Sequence, residues 1–312
     1  MMRKRRKYRF KIKHLFITIG ILLLAAVAGV MIWYFTRPKV EVVPPDKVDS
    51  NVSNVSIAQE EQKDDEVINV LLVGTDSRDP DSDMGRSDSM MLVSYNMNQS
   101  KATIISFLRD TLVDIPGRGK SRLGHTYAYG GVGLTINTIN QTFDLDVQNY
   151  ITVSFENLVG IIDEMGGIEV YISPEEANYY RVHGMPHIKE GYNNLSGTQA
   201  LAHTRNRTLG SDFERTRRQR SVMYGIYSKL LQERSPEAIM SLVKYCMTQV
   251  ETNMSVTEIS TLALDVLATE NLLTQQASIP YEDTYKGISY EGMDVLEIDI
   301  EANKAKIEEL LY

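Results

Sequence analysis

The 312-residue chain predicts an α/β fold: a mixed central β-sheet with helices on both faces, three layers in α-β-α order, preceded by one N-terminal transmembrane helix. Three observations carry that expectation. Short β-branched runs alternate with helical stretches beyond residue 66, which is the signature of strands and helices layered on one another. The first of those runs, VINVLLVG at 67–74, is apolar without alternation, as in a strand buried on both faces. Finally, an uncharged apolar stretch at 15–35 follows a strongly basic tail.

That tail, residues 1–14, holds eight Lys or Arg and no acid. The 21 residues after it would span about 30 Å as a helix, the thickness of a hydrocarbon core, with Trp33 and Tyr34 at its far end. A basic flank stays cytoplasmic, so the remainder is expected outside the cell membrane as a single-pass protein. The run is too long for a typical signal-peptide core, which favours an uncleaved anchor. Residues 36–66 carry Pro38, Pro44 and Pro45 and then polar and acidic residues, and read as a flexible or extended linker. Residues 67–312 suit one large external domain.

Within that domain, SMMLVSYN (89–96) and KATIISFL (101–108) read as a hairpin. A helix is expected over 132–143, a strand over 150–155, and a helix over 156–165 closed by Gly166 and Gly167. IEVYI (168–172) is a strand, 198–204 helical, and 213–234 a long helix stopped before Pro236. Helices over 236–252 and 256–269, strands over 276–280 and 293–299, and a last helix over 301–312 complete the reading.

Charge narrows the function. Beyond the tail, 25 basic residues stand against 41 acidic ones, a net charge of −16, so a general nucleic-acid-binding surface is excluded. The one cysteine, Cys246, allows no internal disulfide and reads as a small apolar residue in a helical pattern. No Walker loop, dinucleotide fingerprint, zinc spacing or G-x-S-x-G elbow occurs. His125, His183, His187 and His203 are scattered and read as structural. Gly130-Gly131-Val132-Gly133 is better suited to starting a helix than to binding a nucleotide.

Against this acidic background two clusters stand out. Asp76 follows Gly74-Thr75 at the end of a buried strand, Arg86 and Asp88 enter the next strand, and Arg109 appears where the third runs out. Ligands of open α/β sheets gather at that edge. Two carboxylates can share a hard cation, Mg²⁺ or Mn²⁺, with phosphate oxygens, although composition alone favours ordinary turn residues for Asp76 and Asp88. Arg109 is read from its position as a phosphate clamp rather than a surface ion pair with Asp110. The second cluster lies in HTRNRTLGSDFERTRRQR (203–220). Arg205 and Arg207, two apart, can point to one side, and Arg215 and Gln219, four apart, share a helix face. Arg217, Arg218 and Arg220 point elsewhere. Arginine forks match phosphate oxygens in pairs, so the two clusters together suggest a pyrophosphate site.

LLVGTDSR, GRSDSMMLVS, SFLRDTLVDIPG, YAYGG, GGIEVYI, LSGTQALAHTRNR and DFERTRRQR follow one another in an order and spacing that resemble the LytR-CpsA-Psr family of bacterial envelope enzymes. The likeness covers about 67–231. It implies a membrane-anchored phosphotransferase of a Gram-positive envelope, moving teichoic acid or capsular polysaccharide from a polyprenyl-pyrophosphate carrier to peptidoglycan. By that resemblance Asp76 and Asp88 hold Mg²⁺, and Arg86, Arg109, Arg205, Arg207, Arg215 and Gln219 line the pyrophosphate. Asp76, Asp88, Arg109 and Arg207 are the catalytic group, one aspartate serving as base if the metal leaves it free. The chain departs from the family pattern at Leu123-Gly124, where Ile-Asn is expected, at His203, where an aromatic residue is usual, and at Glu214, where Gly is common. A prenyl chain needs an apolar cavity, for which the apolar faces of helices near 132–143, 156–165 and 221–231 are candidate walls, although core packing explains the same stripes equally well. A polyprenyl-pyrophosphate hydrolase and a non-enzymatic membrane regulator are the competing readings, the second disfavoured by so short a cytoplasmic tail.

Overall fold

The computed structural model describes residues 55–58, 64, 66–75, 87–232 and 235–312. The expected anchor at 15–35, most of the linker, and Asp76 and Arg86 lie outside these residues.

The first described elements are three strands, β1 (Val67–Thr75), β2 (Ser87–Asn96) and β3 (Lys101–Phe107). A small hairpin, β4 (Leu112–Ile115) and β5 (Gly119–Arg122), leads into helix α1 (Thr126–Phe143). Then come β6 (Asn149–Ser154), α2 (Phe155–Glu164), β7 (Ile168–Ile172), α3 (Pro174–Val182), β8 (Gly191–Leu195) and α4 (Gly197–Arg205). The long α5 (Asp212–Gln232), α6 (Pro236–Met247), β9 (Val250–Thr252), α7 (Val256–Ala268) and β10 (Leu273–Ile279) follow. A hairpin of β11 (Tyr285–Tyr290) and β12 (Met293–Ile298) precedes the last helix, α8 (Ile300–Leu311).

Six strands form the central sheet in the order β10-β3-β2-β1-β6-β9. β1, β2 and β3 run antiparallel in sequence, while β6 is parallel to β1 and β10 to β3, so the sheet is mixed as expected. The carboxyl ends of β1, β3, β6 and β10 therefore meet the amino end of β2 along one edge. Strand side chains alternate between faces. From β1, Leu71 and Val73 enter a core with Met90, Leu92, Ile105 and Phe107, sealed by Leu134, Ile139 and Phe143 of α1 and Ile307 and Leu311 of α8. From the other face Leu72, Met91, Ile151 and Val153 look toward α2, α5, α6 and α7. A separate cluster packs the β7–β8 ribbon against α2 to α5 through Ile162, Ile168, Val170, Tyr180, Ala200 and Val222.

Several elements differ from the sequence reading, which did not assign β4, β5 or α3. Helix α1 begins at Thr126, ahead of the expected 132, although Gly130 and Gly131 leave helical geometry and its regular part starts near 132. The helix from Pro236 ends at Met247 and not at 252, because Val250–Thr252 leaves it to pair with β6 as an edge strand. β8 and β11, whose sequences GYNNL and YKGISY are too polar to read as strands, exist because Ile168–Ile172 and Met293–Ile298 pair with them. Part of the linker is also docked. Val55 N–H donates to the Gly130 carbonyl (2.9 Å), Asn137 bonds both Ala58 N–H and the Ser56 carbonyl, and Gln148 donates to the Ala58 carbonyl. Gly133 permits this, since a Cβ there would lie 1.6 Å from the Val55 carbonyl oxygen. The GGVG run thus receives the chain's own upstream segment.

Candidate active site

Between Gly74 and Thr75 the β1–β2 register slips: Gly74 faces Ser89 and Thr75 faces Ser87, which leaves Asp88 as the extra residue of a bulge. Bulges re-aim side chains beside functional sites. The Asp88 carboxylate, 16% exposed, accepts from Arg109 Nη1 at 2.8 Å and from Arg207 Nη2 at 3.2 and 3.1 Å on its two oxygens. Residues 88, 109 and 207 are thereby brought to one point.

Arg109 lies two residues beyond the end of β3. Its backbone is held by Gly124, whose N–H donates to the Arg109 carbonyl at 2.8 Å and whose missing Cβ would sit 2.9 Å from Arg109 Cβ. The departure from the family pattern at Gly124 therefore falls on a close backbone approach. Asp212, the first residue of α5, accepts from Arg215 Nη1 at 2.7 Å and lies 3.6 Å from Arg109 Nε. Asp110 stands 3.7 Å from Arg109 and 3.4 Å from Arg122. Sequence reasoning missed Asp212; its three-residue spacing from Arg215 at a helix start was the available signal.

Burial opposes the charge on Arg109, but Asp110, Asp212 and Asp88 outweigh it and hold the guanidinium above its usual value. Arg215 goes the other way: burial lowers it, Asp212 opposes, and the cations Arg109 and Arg207 add to the fall. Burial likewise raises the Asp110 carboxyl against the pull of Arg109 and Arg122. The cluster is short of well-placed hydrogen-bond acceptors. Arg109 Nε, Arg122 Nε and Arg215 Nε are buried N–H donors that make no hydrogen bond among the described residues, the carboxylates of Asp110 and Asp212 standing 3.4–3.7 Å from the first two. Buried donors are satisfied in the great majority of cases, so three together mark a place for an anion.

The remaining members of the second cluster divide. Arg205, the last residue of α4, lays its guanidinium 4.9 Å over the Phe155 ring, a cation–π contact. Gln219 is buried one turn beyond Arg215, its Oε1 unpaired among the described residues. Arg217 pairs with Glu214 at the surface. Arg218 is buried and donates to the carbonyls of Asn206 (2.7 Å) and Leu209 (2.9 Å), which holds the loop carrying Arg207. Arg220 donates to Ser106 and Ser278 Oγ, both at 2.9 Å, and ties α5 to β3 and β10; burial first, then Arg217, lowers it to about 10. His203 is buried between Tyr180 (2.7 Å) and Ser221 (3.3 Å), lowered by burial to about 4 and hence neutral.

Beneath the charged groups lies a cavity of 310 Å³ with an almost wholly apolar lining. Gly74, Ser89, Phe155, Thr204 and Gln219 border it; Ser89 is next in the chain to Asp88, Thr204 is next to Arg205, and the Phe155 ring lies under the Arg205 guanidinium. Its walls come from α2 (Leu158, Ile161) and α5 (Val222, Ile226), as expected. They also come from α6 (Leu242, Cys246) and α7 (Ile259, Ala263), which sequence reasoning did not assign. The expected wall at 132–143 is absent: α1 belongs to the sealed core on the opposite face. No group of three or more His, Cys, Asp or Glu capable of holding a metal occurs among the described residues.

The profile described as the LytR_cpsA_psr family matches residues 36–307. A polyisoprenyl-teichoic acid–peptidoglycan teichoic acid transferase TagU of Bacillus cereus (strain AH820) is 37% identical over 227 residues, covering 70% of this chain and 72% of that protein. The TagU of Oceanobacillus iheyensis is 30% identical over 298 residues, covering 92% and 90%. Among solved structures, TagT bound to LIIa-WTA superposes with a TM-score of 0.66 at 25% identity, over 83% of this chain and 99% of that one.

Proposed function

This chain belongs to the LytR_cpsA_psr family, and from that premise we propose that it is a phosphotransferase moving an anionic glycopolymer, teichoic acid or capsular polysaccharide, from a polyprenyl-pyrophosphate carrier to peptidoglycan. The observation that carries the reading is the placement of an acceptor-starved arginine cluster at the mouth of an apolar cavity. A diphosphate on a long hydrocarbon has that same division of charge and oil. Arg109, Arg207 and Arg215 bind the phosphate oxygens, joined by Arg205 at the cavity rim and by Arg86. Gln219 meets the ligand where headgroup gives way to hydrocarbon. The peptidoglycan hydroxyl attacks the sugar-side phosphorus. Its proton passes to a carboxylate of the cluster, and the bridging P–O bond breaks to release polyprenyl phosphate. Positioning and charge neutralisation supply most of the acceleration in such chemistry.

A divalent cation, Mg²⁺ or Mn²⁺, suits the donor chemistry at Asp88, a hard oxygen ligand whose present partners are the arginines a diphosphate would engage. Thr75, opposite Ser87, brings the end of β1 beside it, and Asp76 comes next in the chain as the second proposed ligand. Bound there, the ion would neutralise charge on the phosphate oxygens. The basic tail and apolar run in the sequence support a reading in which the domain lies outside a Gram-positive cell membrane, within reach of the lipid donor and the wall acceptor.

The test is transfer of a polyprenyl-linked polymer onto peptidoglycan by the full chain. Arg109→Ala and Arg207→Ala should each lower the rate by about 10²-fold or more, as losing one charge-stabilising donor does elsewhere. Full transfer by either variant removes the site assignment. Release of a phosphorylated glycan in place of wall-joined polymer would mean hydrolysis.

A further inference from the structure

The charged cluster has two flanks. On the first, Arg205 and Phe155 lead into the apolar cavity. On the second, Phe213 follows Asp212 in α5, and its ring stacks on Tyr285 of β11 with centroids 5.2 Å apart and planes at 30°. The β11–β12 hairpin is anchored to the same cluster. Leu296 N–H donates to the Asp110 carbonyl at 2.9 Å, Thr111 bridges Leu296, and Arg122 Nη2 donates to the Asp294 carbonyl at 2.7 Å. Tyr285 is nonetheless 38% exposed.

We infer that this aromatic shelf binds the sugar esterified to the donor diphosphate. The inference rests on the transferase reading above and deepens it. A diphosphate joins its lipid to its sugar, so a headgroup held by Arg109 and Arg215 with its lipid in the cavity directs its sugar away from the cavity. The second flank is what it meets there. Residues two apart on a strand share a face, so Gly287 and Ser289 lie on the Tyr285 side of the hairpin, with Asp294 directly opposite Ser289. A Cβ at Gly287 would touch nothing within 4 Å, so the shelf beyond Tyr285 is open. It runs from aromatic rings, which pack on the C–H face of a pyranose, to a hydroxyl and a carboxylate, which bond sugar hydroxyls. Lipid would not be expected on it, because Asp110, Arg122 and Asp294 border it.

The experiment compares two probes on the detergent-solubilised full chain without acceptor: polyprenyl diphosphate, and polyprenyl diphosphate carrying one N-acetylhexosamine. The unmodified protein should bind the sugar-bearing probe more tightly. Tyr285→Ala should weaken that probe about 3- to 10-fold, the worth of one aromatic contact, and leave the bare diphosphate unchanged. Tyr285→Trp should retain the preference. Gly287→Val, which fills the open shelf without touching the fold, should lose it selectively. Equal weakening of both probes, or of neither, overturns the assignment. So does unchanged donor binding with a raised KM for the peptidoglycan acceptor, which would give the shelf to the other sugar. Failure of the unmodified protein to bind either probe would instead remove the transferase reading itself.

Discussion

On one face of the central sheet, Leu71 and Val73 are sealed under α1 and α8; on the other, Leu72 and Gly74, their immediate neighbours in β1, border a 310 Å³ cavity. The strands are the same and the side chains comparably apolar. What differs is the cover. α1 and α8 interdigitate with the sheet, Phe143 stacking on Phe107 at 5.1 Å. The helices over the second face, α2, α5, α6 and α7, leave a space against the sheet. Protein interiors are otherwise close-packed, so an apolar space of this size costs stability and is kept where something occupies it. One face is closed by folding; the other keeps the space proposed above for the lipid.

The comparison can be broken most sharply by exchanging volume between the faces. Leu71→Ala removes fully buried atoms from the sealed side and should cost about 2–5 kcal/mol, read as a lowered denaturant midpoint, while the folded fraction keeps its affinity for polyprenyl diphosphate. Val153→Phe adds volume to the open side. It should leave the midpoint nearly unchanged and weaken polyprenyl-diphosphate binding about tenfold or more. If Val153→Phe unfolds the protein and binding survives, the space is a packing defect and not a lipid site.

A smaller effect is expected from His203, on the binding side. Its folded value of about 4 lies below the ordinary 6.5, so below pH 6.5 the unfolded chain takes up a proton that the native state refuses. Stability is therefore intact above pH 6.5 and is lost as pH falls toward 4, by up to about 1.4 kcal/mol per pH unit. Melting curves between pH 7 and 5 should show this fall. His203→Phe should flatten it, at the cost of the Tyr180 hydrogen bond. An unaltered slope would locate the acid sensitivity elsewhere.

The smallest change concerns the docked linker on α1. Gly133→Ala places a methyl where the Val55 carbonyl lies and should release 55–58. Faster hydrogen exchange at the Val55 and Ala58 amides should appear, with a melting shift of a few degrees at most and unchanged donor binding. Unchanged exchange would mean that the segment is not held by this glycine.

Much of the fold was legible because period and punctuation are local. The β1 to β3 runs, the Gly166-Gly167 stop after α2 and the Pro236 boundary all act within a few residues, and all appear where the sequence puts them. β8, β9 and β11 were not legible, because their strand character is lent by partners. Within the candidate site, Asp88, Arg109, Arg207 and Arg215 were readable as charge at strand and helix ends. Asp212 was not, since an aspartate beginning a helix is equally explained by the helix dipole. Helical spacing did separate Arg215, in the cluster, from Arg220, but it could not say what Arg220 does instead, which is to pin the helix to Ser106 and Ser278 on the sheet.

By itself the sequence determined the mixed α/β architecture, the acidic character of the domain and the arginines able to meet phosphate. These follow from side-chain chemistry and spacing along the chain. Tertiary structure alone decided that Asp88 would be lifted out by a bulge to meet Arg109 and Arg207, and that α6 and α7, not α1, would roof the cavity. The first of these outcomes joins residues 119 positions apart. Chain closure over such distances is set by the packing of the whole domain, and no local pattern records it.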